Sequence, residues 1–132
     1  MSPSVWALMP TTPARRWAIP TAIAQFLKQD YPRLQLLVYS DGLGTVEDLI
    51  PRHERIRHFH DDRRRPVGEK WNILHQVAIR LGAEYLSLWP DDDWQAPDYT
   101  RRRMDAILAA RSGRVGCSSM LFYDVPTGVM RR

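Results

Sequence analysis

The sequence predicts an α/β fold, in which a mostly parallel sheet carries helices on both faces. Short apolar runs with strand character alternate along the chain with longer segments of helical period. That alternation is typical of parallel sheets built by right-handed crossovers. Polar clusters also follow the predicted strands directly. Ligands of open parallel sheets bind at the carboxyl ends of the strands, so these clusters indicate a site at one edge of the sheet.

The first half of the chain predicts three strands and one helix. An apolar run from Val5 to Met9 is typical of a buried strand. Apolar residues then recur at helical spacing from Trp17 to Leu27. A second strand follows over 34–40 and is closed by the turn signal Asp41-Gly42, and "RIRHFH" alternates as a third strand.

The second half predicts two helices, two strands and a hairpin. A helix over 69–81 ends at Gly82, the usual position of a C-cap glycine, and a fourth strand covers 84–89. The next helix runs from Pro97 to Gly113. We expect a final strand from Val115 to Phe122 and a hairpin at Thr127-Gly128.

Length and composition predict one folded domain spanning residues 1–132. The chain has 132 residues, of which 44% are hydrophobic and 26% charged. These are ordinary globular proportions that argue against a disordered, collagenous or coiled-coil chain. No apolar run approaches the roughly 20 residues of a membrane-spanning helix. The N-terminus also lacks the pattern of a secretory signal, so we expect a cytoplasmic protein without a transmembrane segment.

The net charge of +4 is concentrated in two basic patches. One covers residues 52–65, with six arginines and three histidines, and the other is the run Arg101–Arg103. Such patches suit an anionic partner such as a nucleotide, a nucleic acid or a lipid headgroup, and they are equally typical of a solvated basic face. Nucleic acid is the least expected partner, because the chain lacks an interleaved aromatic platform and a helix-turn-helix signature.

Two smaller features have ordinary explanations. The single cysteine, Cys117, has no catalytic signature beside it, and we expect a small buried residue of the last strand. His58 and His60 share one face of the third predicted strand, which suggests zinc. Further ligands at a recognisable spacing are missing from the sequence, so an ordinary strand face is the preferred interpretation.

Three consecutive carboxylates, Asp91, Asp92 and Asp93, follow the fourth predicted strand. Together they could share a hard divalent cation, Mg²⁺ or Mn²⁺, whose charge offsets their mutual repulsion. A cation held by one or two side chains keeps positions open for a diphosphate. The alternative is an acidic loop in which one aspartate caps the following helix. Capping needs one carboxylate rather than three, and both interpretations stay open at this point.

Two long segments resemble a known family. They are "VWALMPTTPARRWAIPTAIAQFLKQDYPRLQLLVYSDG" and "GEKWNILHQVAIRLGAEYLSLWPDDDWQAPDY", and they look like the nucleotide-sugar-binding half of the GT-A glycosyltransferases, particularly the family-two transferases. In that family a strand ends in a Pro-Thr loop, a helix ends in a Q-x-YP phrase, the next strand ends in an Asp-Gly turn, and a later strand runs into an Asp-x-Asp motif. The match covers nearly all of residues 4–110. It implies a Rossmann-like GT-A nucleotide-diphospho-sugar transferase fold, truncated to its donor-binding half.

The resemblance implies roles for individual residues. Asp41 is expected to hydrogen-bond the base, and Lys70 to lie near the nucleotide or its phosphates. Asp91 and Asp93 are expected to form the Asp-x-Asp pair that binds Mn²⁺ or Mg²⁺. Pro90 stands where the family often has an aspartate, which leaves open whether Asp92 or Asp93 faces the metal. The residues expected to bind the nucleotide sugar are Pro10, Thr11, Thr12, Asp41, Lys70, Asp91 and Asp92.

Three of these residues also have a purely structural interpretation. Thr12 could serve only to cap the following helix, and Asp41 could serve only to form its turn. Lys70 could be a solvated residue on the surface of its helix.

The resemblance further implies a glycosyltransferase. It would bind a UDP- or GDP-linked sugar through a divalent metal and transfer the sugar to an acceptor hydroxyl with inversion. Family members continue into an acceptor region that carries a catalytic base, and we assign that role to Asp124, the only carboxylate after Asp105. The alternative is a non-catalytic nucleotide-binding or assembly module without an acceptor site. A second chain, as in a homo-oligomer, could complete the site, and the acceptor itself is left open.

Overall fold

The structure is a computed structural model that describes residues 2–124 and 126–132. Contacts along the chain form two compact units, one that ends at Thr100 and one that begins at Arg101. Among the described residues, none of the helices combines the length and the apolar character needed to cross a membrane.

The first unit is built around a four-stranded parallel sheet. Its order is β3-β2-β1-β4, and each neighbouring pair of strands is parallel. The predicted α/β class with a parallel sheet is therefore confirmed, and the architecture is compatible with a Rossmann-like fold. The strands are β1 (Val5–Thr11), β2 (Leu34–Asp41), β3 (Ile56–Asp61) and β4 (Tyr85–Leu88).

Two helices connect these strands, α1 (Ile19–Leu27) between β1 and β2, and α2 (Val67–Arg80) between β3 and β4. The two crossovers run in opposite directions across the sheet, so right-handed connections put the helices on opposite faces. Pro20 lies in the first turn of α1, where the missing N–H has no intrahelical partner to lose. The expectation that Trp17 belongs to the apolar face of this helix was wrong, because the helix begins later and Trp17 is 71% exposed.

The core fills both faces of the sheet. On one face, buried side chains of the sheet meet Leu74 and Ala78 from α2, and Trp71 and Val77 pack against the same cluster. Towards α1, the ring of Trp89 lies edge-on to Phe26 at 6.2 Å. The indole N–H of Trp89 also donates to the carbonyl oxygen of Ala22 at 3.1 Å. This fully buried tryptophan fixes the chain that leaves β4, and therefore the position of the aspartates that follow.

A third helix, α3 (Tyr99–Ala110), crosses the division between the units. The second unit also contains an antiparallel pair, β5 (Phe122–Asp124) and β6 (Val129–Arg131). Gly128 lies in their turn with a φ of +68°, so the predicted hairpin is confirmed.

Two expectations about the second unit were wrong. Most of the predicted strand Val115–Phe122 is irregular, because Gly116, Ser118 and Ser119 interrupt its apolar pattern. Cys117 is accordingly exposed rather than buried in a strand, and its sulfur accepts a hydrogen bond from Arg103 Nη2 at 3.1 Å.

Candidate functional site

The candidate site lies where the strand order of the sheet reverses. The chain runs from β1 to β2 on one side, whereas β4 lies on the other side of β1. In open α/β sheets the crevice outside the carboxyl ends of such strands is the usual ligand site. Thr11 is the last residue of β1 and Asp91 follows β4, and the Thr11 hydroxyl donates to Asp91 Oδ2 at 2.9 Å. The two residues stand 80 positions apart in sequence, so only the fold brings them together.

Arg15 offsets much of the repulsion within the aspartate cluster. Its Nε donates to Asp91 Oδ1 at 3.0 Å and to Oδ2 at 2.8 Å, and its Nη2 donates to Oδ1 at 2.8 Å. Nη2 also lies 2.8 Å from Asp92 Oδ2. Asp91 is only 6% exposed, and its hydrogen bonds raise the pKa of Arg15 above the ordinary value. The fixed guanidinium of Arg15 therefore offsets part of the negative charge of the three adjacent carboxylates.

Asp93 differs from its two neighbours. It is exposed and accepts no hydrogen bond from any residue within 2–124 or 126–132. Partial burial raises the pKa of Asp93, and the charges of Asp92 and Asp91 raise it further. No hydrogen-bond donor therefore offsets its negative charge within the described residues, and both of its carboxylate oxygens are open to a cation.

A divalent cation fits this cluster only in part. Carboxylate oxygens are the ligands that Mg²⁺ and Mn²⁺ prefer. However, Arg15 and Thr11 already occupy the oxygens of Asp91, while Asp93 is open. Across the described part of the chain, no three His, Cys, Asp or Glu side chains are grouped so that they could hold a metal ion. A cation here would take Asp93 as its ligand and need substrate oxygens to complete its coordination, which is common for Mg²⁺.

Lys70 and Asp41 form a buried ion pair beside the aspartate cluster. Lys70 Nζ lies 2.8 Å from Asp41 Oδ1 and 3.3 Å from the carbonyl oxygen of Thr11. The other carboxylate oxygen of Asp41 accepts from the backbone N–H of Arg65 at 2.6 Å. Lys70 therefore joins α2 to the ends of β1 and β2, and the interpretation of a solvated helix residue is wrong. The nucleotide-binding roles of both residues stay predictions.

Thr12 and Pro10 complete the set at the end of β1. The hydroxyl of Thr12 makes no capping bond to the short 3₁₀ helix Pro13–Arg15, so the capping interpretation is wrong. It donates instead to the carbonyl oxygen of Asp41 at 2.8 Å. Pro10 is a buried residue within β1. Hydrogen bonds thus join five of the predicted site residues into one network, namely Thr11, Thr12, Asp41, Lys70 and Asp91.

A second polar cluster lies on β2 and β3. The Ser40 hydroxyl is 2.7 Å from His58 Nε2 and 2.7 Å from His60 Nδ1. His60 Nε2 lies 3.3 Å from a carboxylate oxygen of Asp62. Burial lowers the pKa of His58, and the nearby His60 lowers it further. The two imidazoles share a face, as predicted, and they meet a buried hydroxyl between them.

Within the described residues, the hydrogen-bond network includes Arg15, which was not predicted, and does not include Asp124, which was predicted. Asp124 lies in the second unit, where its Oδ2 accepts from the Thr127 hydroxyl at 2.6 Å, and its catalytic role stays a prediction. Arg15 belongs to the network, but sequence reasoning missed it. The signal was the pair Arg15-Arg16 directly after the Pro-Thr loop, since a buried carboxylate cluster requires a nearby cation.

Comparison with known proteins leaves the family open. Neither a protein-family model nor a curated protein matches the chain. The function is therefore inferred from the network at the ends of β1, β2 and β4.

Proposed function

We propose that the chain binds a nucleotide-diphosphate sugar together with a divalent cation and transfers the sugar to an acceptor hydroxyl with inversion. The observation that carries the proposal is the hydrogen bond between Thr11 and Asp91, at the reversal of the strand order. This position suits a nucleotide in open α/β sheets. The resemblance to the GT-A glycosyltransferases supports the choice of a sugar nucleotide, and it makes a GT-A fold part of the proposal.

The network gives each residue a chemical task in donor binding. Residues Pro10–Thr12 line the nucleotide pocket, where backbone groups and hydroxyls can satisfy a base edge. Asp41 pairs with a base N–H and Lys70 offsets phosphate charge. The close contact of Lys70 with both Asp41 and Thr11 supports a shared site, because one ammonium reaches both strand ends.

Asp93 is the residue that would hold the cation, and Asp92, beside it in the sequence, is also exposed. When bound, Mn²⁺ or Mg²⁺ would neutralise the charge that develops on the departing diphosphate. The three aspartates outnumber Arg15, so the cluster stays net negative and would repel an unaccompanied diphosphate. Donor binding should therefore depend on the cation.

Transfer itself is a single displacement at the anomeric carbon. The acceptor hydroxyl oxygen forms the new bond, the bond to the diphosphate oxygen breaks, and a general base takes the hydroxyl proton. The assignment of this base to Asp124 comes from the sequence, where it is the only carboxylate after Asp105. Because attack and departure occur on opposite sides of the carbon, the product has the inverted configuration.

A second candidate is a non-catalytic nucleotide-binding or assembly module. Asp124 favours it, because this residue accepts hydrogen bonds within its own hairpin turn. The Thr127 hydroxyl donates to its carboxylate at 2.6 Å, and the Gly128 N–H donates to its carbonyl at 2.7 Å. This is an ordinary structural role for an aspartate in a turn.

Calorimetric titration tests donor binding. The protein is titrated with UDP, GDP and other nucleoside diphosphates, with and without Mn²⁺, in parallel with Asp93→Ala and the control Glu54→Ala. Glu54 is an exposed carboxylate that precedes β3, so it lies at the amino ends of the strands, opposite the candidate site. We expect Mn²⁺-dependent binding that Asp93→Ala abolishes and Glu54→Ala retains. Absence of binding to every diphosphate under both conditions would overturn the proposal.

A turnover assay separates the two candidate functions. The protein is incubated with nucleotide sugars and a range of hydroxyl acceptors, and the released nucleoside diphosphate is measured. If the protein is a transferase, it should release more nucleoside diphosphate than Asp93→Ala does. The Asp124→Asn variant should lose that release. Binding without release above the level of Asp93→Ala would favour the module.

A further inference from the structure

Arg15 has hydrogen-bonding capacity that the aspartate cluster does not use. A guanidinium carries five N–H donors. Nε and Nη2 of Arg15 donate to Asp91, and Nη2 also meets Asp92. Nη1 donates to none of the residues in 2–124 and 126–132, so both of its N–H groups are available to a ligand.

The guanidinium is held in a fixed orientation. It forms ion pairs with the carboxylates of Asp91 and Asp92. Its central carbon lies 5.6 Å from the centre of the Trp17 ring. The Arg15 side chain is nonetheless 37% exposed, so the guanidinium is held in place but remains accessible to a ligand. A planar guanidinium restrained in this way suits the two-oxygen geometry of a phosphate, and little freedom is lost when it binds one.

We propose that Arg15 is a phosphate-binding residue of the donor site, with its Nη1 donating to the diphosphate. Its other nitrogens engage Asp91 and Asp92, which leaves Asp93 as the cation ligand. This inference rests on the proposed function, because it requires a nucleoside diphosphate at the ends of β1 and β4.

The two tasks of Arg15 have opposite consequences when the residue is replaced. Without the positive charge, the carboxylates attract a cation more strongly, so affinity for Mn²⁺ alone should rise. Without the N–H donors, affinity for the diphosphate in the presence of Mn²⁺ should fall. A residue that only stabilised the loop would weaken both affinities or change neither.

The experiment uses the full chain and two probes. Binding of Mn²⁺ alone is followed by the electron paramagnetic resonance signal of the free ion, and binding of UDP or GDP at saturating Mn²⁺ is followed by calorimetry. The variants are Arg15→Gln, Arg15→Lys and the control Arg16→Gln, and circular dichroism checks their folding. Arg16 is the neighbouring arginine, and it pairs on the surface with Asp48 and the carbonyl oxygen of Thr45.

Arg15→Gln should bind Mn²⁺ more tightly and the diphosphate more weakly, each by a factor on the order of ten. Arg15→Lys keeps the charge but loses the planar fork, so its Mn²⁺ affinity should stay near the native value while its diphosphate affinity falls. This variant also tests the proposal if Arg15→Gln does not fold. Arg16→Gln should change neither affinity.

Other outcomes overturn the inference in distinguishable ways. If the native protein binds the diphosphate and Arg15→Gln binds it equally well, Arg15 does not contact phosphate and the proposed function survives. If Arg15→Gln weakens both Mn²⁺ and diphosphate binding, the role of Arg15 is structural. If the native protein binds no nucleoside diphosphate with Mn²⁺, the proposed function fails and this inference fails with it.

Discussion

Lys70 Nζ and Asp41 Oδ1 lie 2.8 Å apart in a buried ion pair at the carboxyl end of the sheet. Removing one member of such a pair leaves the other charge in a poorly solvated position. We therefore expect Lys70→Met to lower the free energy of unfolding by roughly 3–5 kcal/mol. Urea denaturation followed by circular dichroism measures the change.

The double variant Lys70→Met/Asp41→Asn is the control for this prediction. It removes both charges, and the amide oxygen introduced in place of the Asp41 carboxylate can still accept from the Arg65 N–H. We expect it to recover at least half of the lost stability, because an unpaired buried charge accounts for most of the cost of the single change. A loss below about 1 kcal/mol in the single variant would show that the pair is well solvated.

Asp93→Asn should stabilise the ligand-free protein at neutral pH. The pKa of Asp93 is raised above its ordinary value of 3.8, so the folded state disfavours its charge. The contribution of this group to stability is present below pH 3.8 and is lost as the pH rises through the raised pKa. The neutral amide of the variant avoids that loss, so we expect Asp93→Asn to raise the free energy of unfolding by a few tenths of a kcal/mol at pH 7.

Thermal unfolding at pH 7 and pH 4 tests this expectation. The advantage of Asp93→Asn over the native protein should shrink at the lower pH, and Glu54→Gln should show no comparable advantage. Added Mn²⁺ should stabilise the native protein and not Asp93→Asn, since binding to the folded state raises its stability. A variant that is less stable than the native protein at pH 7 would mean that Asp93 has a stabilising partner.

The Ser40, His58 and His60 cluster predicts that stability falls in mild acid. Burial and His60 lower the pKa of His58 below 6.5, while Glu47 acts in the opposite direction. The neutral form of His58 therefore contributes stability that is fully present above pH 6.5 and is lost as the pH falls through the lowered pKa. Urea midpoints measured from about pH 7.5 to about pH 5, a range that spans the ordinary histidine pKa, should follow this fall.

Two variants separate this histidine from other acid effects. His58→Gln can still hydrogen-bond to Ser40 but does not titrate, so its stability should fall less over the same pH range. Glu47→Gln removes a charge that raises the pKa of His58, so the loss should extend to lower pH. If the native protein and His58→Gln lose stability in parallel, another group is responsible.

Two glycines of the first unit should respond oppositely to alanine. Gly44 has a φ of +99°, and a Cβ there would lie 3.3 Å from the Cβ of Pro13, so Gly44→Ala should cost about 1–2 kcal/mol. Gly68 lies in the first turn of α2, and nothing lies within 4 Å of an added Cβ. Gly68→Ala should therefore stabilise the protein by about 0.4–1 kcal/mol. Denaturant titration of both variants measures the contrast, and equal effects would contradict it.

The sequence predicted the parallel sheet well because the signals for its elements are local. Buried strands appear as apolar runs, as in β1 and β2, and α2 shows its core-facing residues at helical spacing. The same patterns gave wrong predictions where apolar residues are exposed in the structure. Trp17 continues the helical spacing but precedes α1, and the apolar residues near Cys117 are exposed without forming a strand.

The candidate site could be predicted only by position. The rule that ligands meet the carboxyl ends of strands correctly grouped Thr11, Asp41, Lys70 and Asp91. The partners of each side chain could not be predicted, because ion pairs depend on distances between segments far apart in sequence. The bond from Arg15 to Asp91 spans 76 positions, and no local pattern reports it.

The pairing of β4 with β1 has a consequence for the order of folding. The strands β1, β2 and β3 follow one another along the chain and can pair as they emerge, whereas β4 must return across the sheet to β1. Contacts of such long sequence separation are slow to form, because a large loop has to close first. The contact between Thr11 and Asp91 depends on that last pairing. During synthesis a partial sheet can therefore exist before the site does, and the aspartate cluster meets its arginine only once the sheet is complete.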